Sequence, residues 1–395
     1  MRSARLRVIV VVVGAVMAAV AAIAVRAAAS SESMPKSGRS PIQLAAQSAT
    51  TTHFEYVVSK GAVYVYSIDH GNDLVKTISL PQIGGSIRGV VASLPNGALY
   101  ISYGAQGPPG GSLLAYDLRR GRVLWHRTYS FGVDSMAISA DGRWIYMPAG
   151  EATTSGLWRI IAASNGQPTG GTITGPAGAH NTILGPDGRD LYLGGVASRY
   201  LEVASTATDE VVRKIGPLNG PGVRPFTING SQTLAFTTAR SFFGFQVSSI
   251  VTGETLYTVS VPGFSFDPST FDRTPNHGIS LSPDERELYL IDTPNGYVHV
   301  FDVSGLPASP PRLAANIKLQ HAPPNDGWLQ HSRDGRYVYV GRSGDVIDTT
   351  TRTIVDYLPP LRATADFLEI DWQDGQPVAT TNRYGVGYVS QTPTG

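Results

Sequence analysis

A chain of 395 residues with 44 Gly and 27 Pro, of which 42% are hydrophobic and 15% charged, has the composition of a turn-rich all-β protein rather than a helical one. Its formal net charge of +1, with no Lys/Arg run longer than Arg119-Arg120, excludes a general phosphate-binding surface, which needs a basic stripe, so no nucleic-acid partner is expected. The absence of cysteine removes disulfides, thiolate metal sites and Cys nucleophiles together, and the fold must be held by its core.

Residues 1–29 read as a signal peptide. Arg2, Arg5 and Arg7 form a positive n-region, Val8 to Val25 is uncharged and apolar, and Ala27-Ala28-Ala29 supplies small residues for cleavage. The apolar run approaches the length of a membrane span, so an uncleaved anchor is the alternative, and it is the one route to a membrane. Either way the body is expected outside the cytoplasm, secreted, periplasmic or at the cell surface. Residues 30–52, rich in Ser, Thr, Ala and Pro without a sustained period, read as a flexible linker, leaving 53–395 as the folded body.

Three strand-like runs open that body, Phe54 to Val58, Ala62 to Ile68 and Leu74 to Leu80. They match the second half of a unit seen most clearly from His277 to Gly305, and they lack the run that should come first. Seven turns then index the units: Pro95-Asn96-Gly97, Ala140-Asp141-Gly142, Pro186-Asp187-Gly188, Asn229-Gly230-Ser231, Pro283-Asp284-Glu285, Arg333-Asp334-Gly335 and Gln373-Asp374-Gly375. Their middle residues are spaced by 45, 46, 43, 54, 50 and 40. Several strands per unit at such a period predict an all-β, seven-bladed β-propeller. The chain ends on the runs Phe367 to Trp372, Pro377 to Asn382 and Val386 to Ser390. Strands from both termini should therefore close one blade, with one strand more than four.

On Leu281-Ser282-Pro283-Asp284 with Leu288-Tyr289-Leu290, on Pro186-Asp187-Gly188 with Leu191-Tyr192-Leu193, and on Val75-Lys76-Thr77-Ile78 as an outer strand, the chain resembles the YVTN-repeat β-propellers of bacterial envelope and surface-layer proteins. The likeness covers roughly residues 54 to 390. Tyr289-Leu290-Ile291-Asp292 and Tyr339-Val340-Gly341-Arg342 stand where the tetrad that names the family would be. The resemblance implies the architecture. It leaves function open, because related propellers include binding scaffolds, lactonases and metal-dependent enzymes.

No G-x-S-x-G, H-E-x-x-H, P-loop, EF-hand or G-x-G-x-x-G pattern is present. What remains is the rim of the central channel, onto which the entrances of the innermost strands open. Positions six to eight before each index turn give Arg88, Asp134, His180-Asn181, Arg224, His277, Asp326 to Trp328 and Asp366-Phe367. From these, Arg88, Asp134, His180, Arg224, His277 and Trp328 are the candidate ligand-binding residues. His180 and His277 share a register, seven residues before Asp187 and Asp284. As imidazoles on one funnel they could hold a metal or move a proton, and as structural residues they would cap strand entrances. Arg88 and Arg224 could clamp a carboxylate or phosphate, or pair with Asp134, Asp326 or Asp366 across blade gaps. Trp328 either stacks on a ligand or fills a blade interface.

His331 lies deeper and reads as a hydrogen-bonded core histidine. Asn229-Gly230-Ser231 matches a glycosylation sequon and reads as a turn. The Pro-rich segments 262–276 and 306–325 are the longest insertions and should fold over the same rim. The expected role is binding, of a small anion or of an envelope protein partner. The alternative is a lactonase-like hydrolase or a lyase, with His180 or His277 as base or metal ligand and Arg88 or Arg224 holding the substrate anion.

Overall fold

The structure, a computed structural model, describes residues 50–381 except Asp272. The leader, the linker up to residue 49 and the expected strand Val386 to Ser390 lie outside the described residues. The first strand, Thr52–Ser59, begins one residue before the expected start of the body.

Seven antiparallel sheets follow one another along the chain, and the protein is a seven-bladed β-propeller. Six blades are four-stranded and sequential: blade 1 (87–128), blade 2 (137–174), blade 3 (179–215), blade 4 (223–260), blade 5 (279–318) and blade 6 (328–357). The strand patterns follow from position in the blade. Second strands such as Leu234–Ala239 are buried throughout, because adjacent blades cover both faces. Outer strands such as Thr255–Ser260 alternate between exposed and half-buried residues, since one face meets solvent.

The index turns are built from local chemistry that the sequence repeats. In blades 2, 5 and 6 a serine hydroxyl donates to the aspartate two residues on, at 2.6 Å for Ser139 to Asp141, Ser282 to Asp284 and Ser332 to Asp334. The same Oδ1 accepts the backbone N–H two residues further, from Arg143, Arg286 and Arg336, which makes an Asx-turn. Asn229 does the same work in blade 4, accepting from the N–H groups of Thr233 and Leu234 at 2.8 Å, so the sequon position is occupied as a turn.

The seventh blade is built from both termini. Among the described residues its sheet has five strands, with Phe367–Gln373 between Thr52–Ser59 on one edge and Gln376–Thr380 on the other. Phe367–Gln373 takes the innermost place of a normal blade, and Gln376–Thr380 adds a strand on the channel side of it. Thr381, just beyond, accepts a hydrogen bond from Gln330 of blade 6 at 3.0 Å. One expectation is corrected: segment 306–325 is not a single insertion, because Arg312–Lys318 is the outer strand of blade 5. Only the residues after it lead over the rim.

Leu281 is fully buried in the three-residue inner strand Ile279–Leu281. Leu281→Ala should cost about 2 to 5 kcal/mol, the range for truncating a buried leucine. Lys76→Ala, on the exposed outer strand Asp73–Ser79, should stay within about 0.5 kcal/mol. Urea midpoints of the two variants check this, and equal shifts would contradict the strand order within the blades.

Candidate functional site

Each blade brings its chain from one rim into the innermost strand and reverses it at the index turn on the opposite rim. The first rim therefore collects one entrance residue from every blade. Arg88 comes from blade 1, Asp134 from blade 2, His180 from blade 3, Arg224 from blade 4, His277 from blade 5, Trp328 from blade 6 and Asp366 from blade 7. All seven line one cavity of about 220 Å³. The structure thus brings all six candidate residues together.

Further wall residues come from elsewhere: Gln106, Glu151 and Arg342 from loops joining second to third strands, and Arg273 from segment 262–276. Up-and-down alternation returns the second-to-third-strand loops to the entrance rim, and that was the signal available for finding them. Close approach of two such loops requires Gly150, at φ +91°, where a Cβ would sit 2.2 Å from the Gln106 carbonyl oxygen. Only glycine lets the loops of blades 1 and 2 touch there. A second hollow of about 430 Å³ shares Gln106, Glu151, Arg224, Arg273 and Asp326 with the first.

Arg224 is the hub of the polar network. Its Nε donates to His277 Nε2 at 2.8 Å, Nη1 to Glu151 at 2.6 Å and Nη2 to Asp326 at 3.3 Å. Arg273 also reaches Asp326, at 3.2 Å. Because His277 Nε2 accepts, its proton sits on Nδ1, which faces the Gly327 carbonyl at 3.2 Å. Burial pushes the His277 imidazole down to about 4; Asp326 opposes that, while Arg224 and His180 add to it. His277 is therefore neutral near pH 7, with both nitrogens engaged. The idea of an ion shared by His180 and His277 fails on that point, since only one of the two rings has a nitrogen left for a ligand.

His180 differs. Its Nδ1 lies 2.9 Å from Asp134 Oδ2, which also accepts from Gln106 at 2.8 Å, and its Nε2 is buried without a hydrogen-bond partner. Burial pushes the Asp134 carboxyl up, but His180, Gln106 and Arg88 outweigh it and hold the group below the usual carboxylate range. An imidazole oriented by a carboxylate through Nδ1 presents its Nε2 to the cavity. The ring lies 6.3 Å from His277 and 6.5 Å from Trp328, centroid to centroid. Trp328 packs edge-on against His277 at 4.7 Å and is 6% exposed, so the tryptophan both walls the cavity and fills the interface.

The two candidate arginines separate in the same way. Arg224 spends a donor from each of its three nitrogens on His277, Glu151 and Asp326, the across-blade pairing with Asp326 among them, and its charge is already matched by two carboxylates. Arg88 is half-buried and spends only Nε, on the Gly104 carbonyl at 3.0 Å. Among the described residues four arginines (88, 224, 273, 342) face four carboxylates (134, 151, 326, 366) around the cavity. His331 is fully buried, bonded to Ser280 at 2.7 Å, and pushed down to about 3 by burial, as a core histidine should be.

No protein-family model matches the chain, and no curated protein matches its sequence. Among solved structures the fold is similar to that of a chain of the Kuenenia stuttgartiensis Hydrazine Synthase, with a TM-score of 0.51 and 16% identity over 67% of this chain and 76% of that one. At that identity the likeness is one of propeller architecture.

Proposed function

We propose that the chain is an extracytoplasmic binding propeller whose funnel takes a small acid that also carries hydroxyl or amino groups. The observation that carries this reading is the split between spent and unspent groups. Arg224 and His277 hold the wall together, whereas the terminal nitrogens of Arg88 and the Nε2 of His180 line the same cavity without hydrogen-bond partners. A guanidinium whose two terminal nitrogens are unspent suits a carboxylate or phosphate oxygen pair, and the imidazole nitrogen suits a ligand hydroxyl or amine. The balance of four arginines against four carboxylates favours a ligand with donors as well as negative charge over a bare anion. A volume of about 220 Å³ lies below that of drug-sized sites, so the ligand is metabolite-sized. The basic, apolar leader of residues 1–29 supports export. The resemblance to YVTN-repeat propellers supports an envelope setting, in which a protein partner seated on the rim is the other occupant.

The His180–Asp134 pair supports a second reading, that of a lyase or hydrolase with His180 as general base. The geometry is that of a base with its orienting carboxylate. Among the described residues no Ser or Thr lines the cavity, and the chemistry these residues suit is proton abstraction or activation of water rather than attack by a side chain.

A panel of small hydroxy and amino acids, scored by thermal shift and then by calorimetry, tests both. Binding should weaken about 10- to 100-fold in Arg88→Ala, the loss of a charge-assisted hydrogen-bond pair. His180→Gln should weaken binding modestly if the protein only binds, and abolish turnover of the bound acid if it is an enzyme. Unchanged affinity in Arg88→Ala and in the double variant His180→Ala, His277→Ala, with the fold intact, would move the site out of the funnel to segment 262–276.

A further inference from the structure

The seam where the two ends of the chain meet carries a second polar cluster. In the ladder between Thr52–Ser59 and Phe367–Gln373, His53 lies directly opposite Asp371 and Glu55 opposite Glu369, so alternation places all four side chains on one face of the sheet. Glu55, Glu369 and Asp371 are all buried, at 0%, 1% and 2% exposure. Carboxylates directly opposed in a ladder repel, and a sheet closed through such a pair needs a reason.

Arg333 of blade 6 arranges the two carboxylates of the inner strand. Its backbone N–H donates to Glu369 Oε2 at 2.6 Å, and its guanidinium holds Asp371 Oδ2. That leaves Glu369 Oε1 and Asp371 Oδ1 toward His53, whose Nδ1 lies 3.5 and 2.9 Å from them. These approaches are not aligned hydrogen bonds, for His53 Nδ1 and Asp371 Oδ1 are both buried without a hydrogen-bond partner. One donor atom from each of the three residues lies within 4.8 Å of the others. With metal–ligand bonds of about 2.1 Å, neighbouring ligand atoms stand roughly 3.0 to 3.4 Å apart in octahedral and tetrahedral sites, and the two His53 separations of 2.9 and 3.5 Å lie close to that.

Glu55 is the independent observation. It is fully buried opposite Glu369, and neither of its carboxylate oxygens has a hydrogen-bond partner. Burying an unpaired charge is costly. Glu55, Glu369 and Asp371 thus crowd three buried carboxyl groups onto one face beside His53 and Arg333, an oxygen-rich setting with one imidazole that suits a divalent cation.

We propose that His53 Nδ1, Glu369 Oε1 and Asp371 Oδ1 bind one divalent transition ion, of the zinc or manganese kind, which sits beside the buried Glu55 carboxyl and fastens the first strand to the last inner strand. The imidazole selects against calcium and magnesium, and the carboxylates against copper(I). Arg333 holds the second oxygens in the manner of an outer coordination shell. His53, with its side chain 33% exposed, is the side from which an ion enters.

The test uses the full chain, stripped with chelator and dialysed, to which Zn²⁺, Mn²⁺, Ca²⁺ or Mg²⁺ is added alone. Calorimetry should show one Zn²⁺ or Mn²⁺ site per chain, with a rise in Tm that EDTA reverses. His53→Ala should weaken that binding at least about tenfold. His53→Ala decides the matter, because that side chain is partly exposed, whereas a change at Asp371 would also loosen Arg333. Absence of saturable binding up to millimolar ion, equal response to Mg²⁺, or undiminished binding in His53→Ala overturns the proposal.

Discussion

A chain beginning at Gln82 should not fold. Such a truncation removes Thr52–Ser59, Ala62–Ser67 and Asp73–Ser79, three of the five strands of the closing sheet. Val57, Val58 and Val63, all at 0% exposure, leave the largest core cluster with them. The pairing edge of Phe367–Gln373 is bared, and an open hydrophobic edge invites intermolecular strand addition. A further tie is lost where Tyr339 of blade 6 donates to Asn72 Oδ1 at 2.6 Å. A chain beginning at residue 50 keeps every one of these strands and should unfold cooperatively. Circular dichroism melts and size-exclusion profiles compare the two, and a soluble, cooperative protein starting at Gln82 would mean that the ring closes without its N-terminal strands.

Arg224→Ala should be the most damaging single change on the rim, costing about 2 to 4 kcal/mol, somewhat less than a fully buried ion pair because the site is partly wet. One guanidinium serves Glu151, Asp326 and His277 together, and its loss strands Glu151 and leaves Asp326 to the more exposed Arg273. Lysine should not restore the loss, since a single ammonium cannot reach three acceptors in a plane. The defect should also depend on pH. A histidine held at about 4 when folded and near 6.5 when unfolded contributes stability that is present above pH 6.5 and lost as pH falls toward 4. Without Arg224, which presses His277 down, the ring can take a proton and face Asp326 as a cation. The stability gap between wild type and variant should therefore narrow from pH 7.5 to pH 5. A gap of the same size at both pH values, read from urea midpoints, would show that His277 and Arg224 are not coupled.

Much of this was legible in the linear sequence, for a physical reason. Strand alternation and turn chemistry are local, so Ser282-x-Asp284 and its counterparts announce the turns, and turns about 46 residues apart set seven blades. Once the turns are located, up-and-down topology puts Arg88, Asp134, His180, Arg224, His277 and Trp328 on one rim without further information. Which of those groups remain available for a ligand is decided by contacts that no local pattern encodes. Arg224 meets Glu151 and Asp326 from 73 and 102 residues away, and that alone turns a candidate anion clamp into a wall element while leaving Arg88 unspent. The seam shows the same division. His53 and Glu55 are two polar residues near the start of an ordinary strand until the closed ring lays them against Glu369 and Asp371. Charge pairing and burial are properties of the assembled ring, and only the tertiary structure decides them.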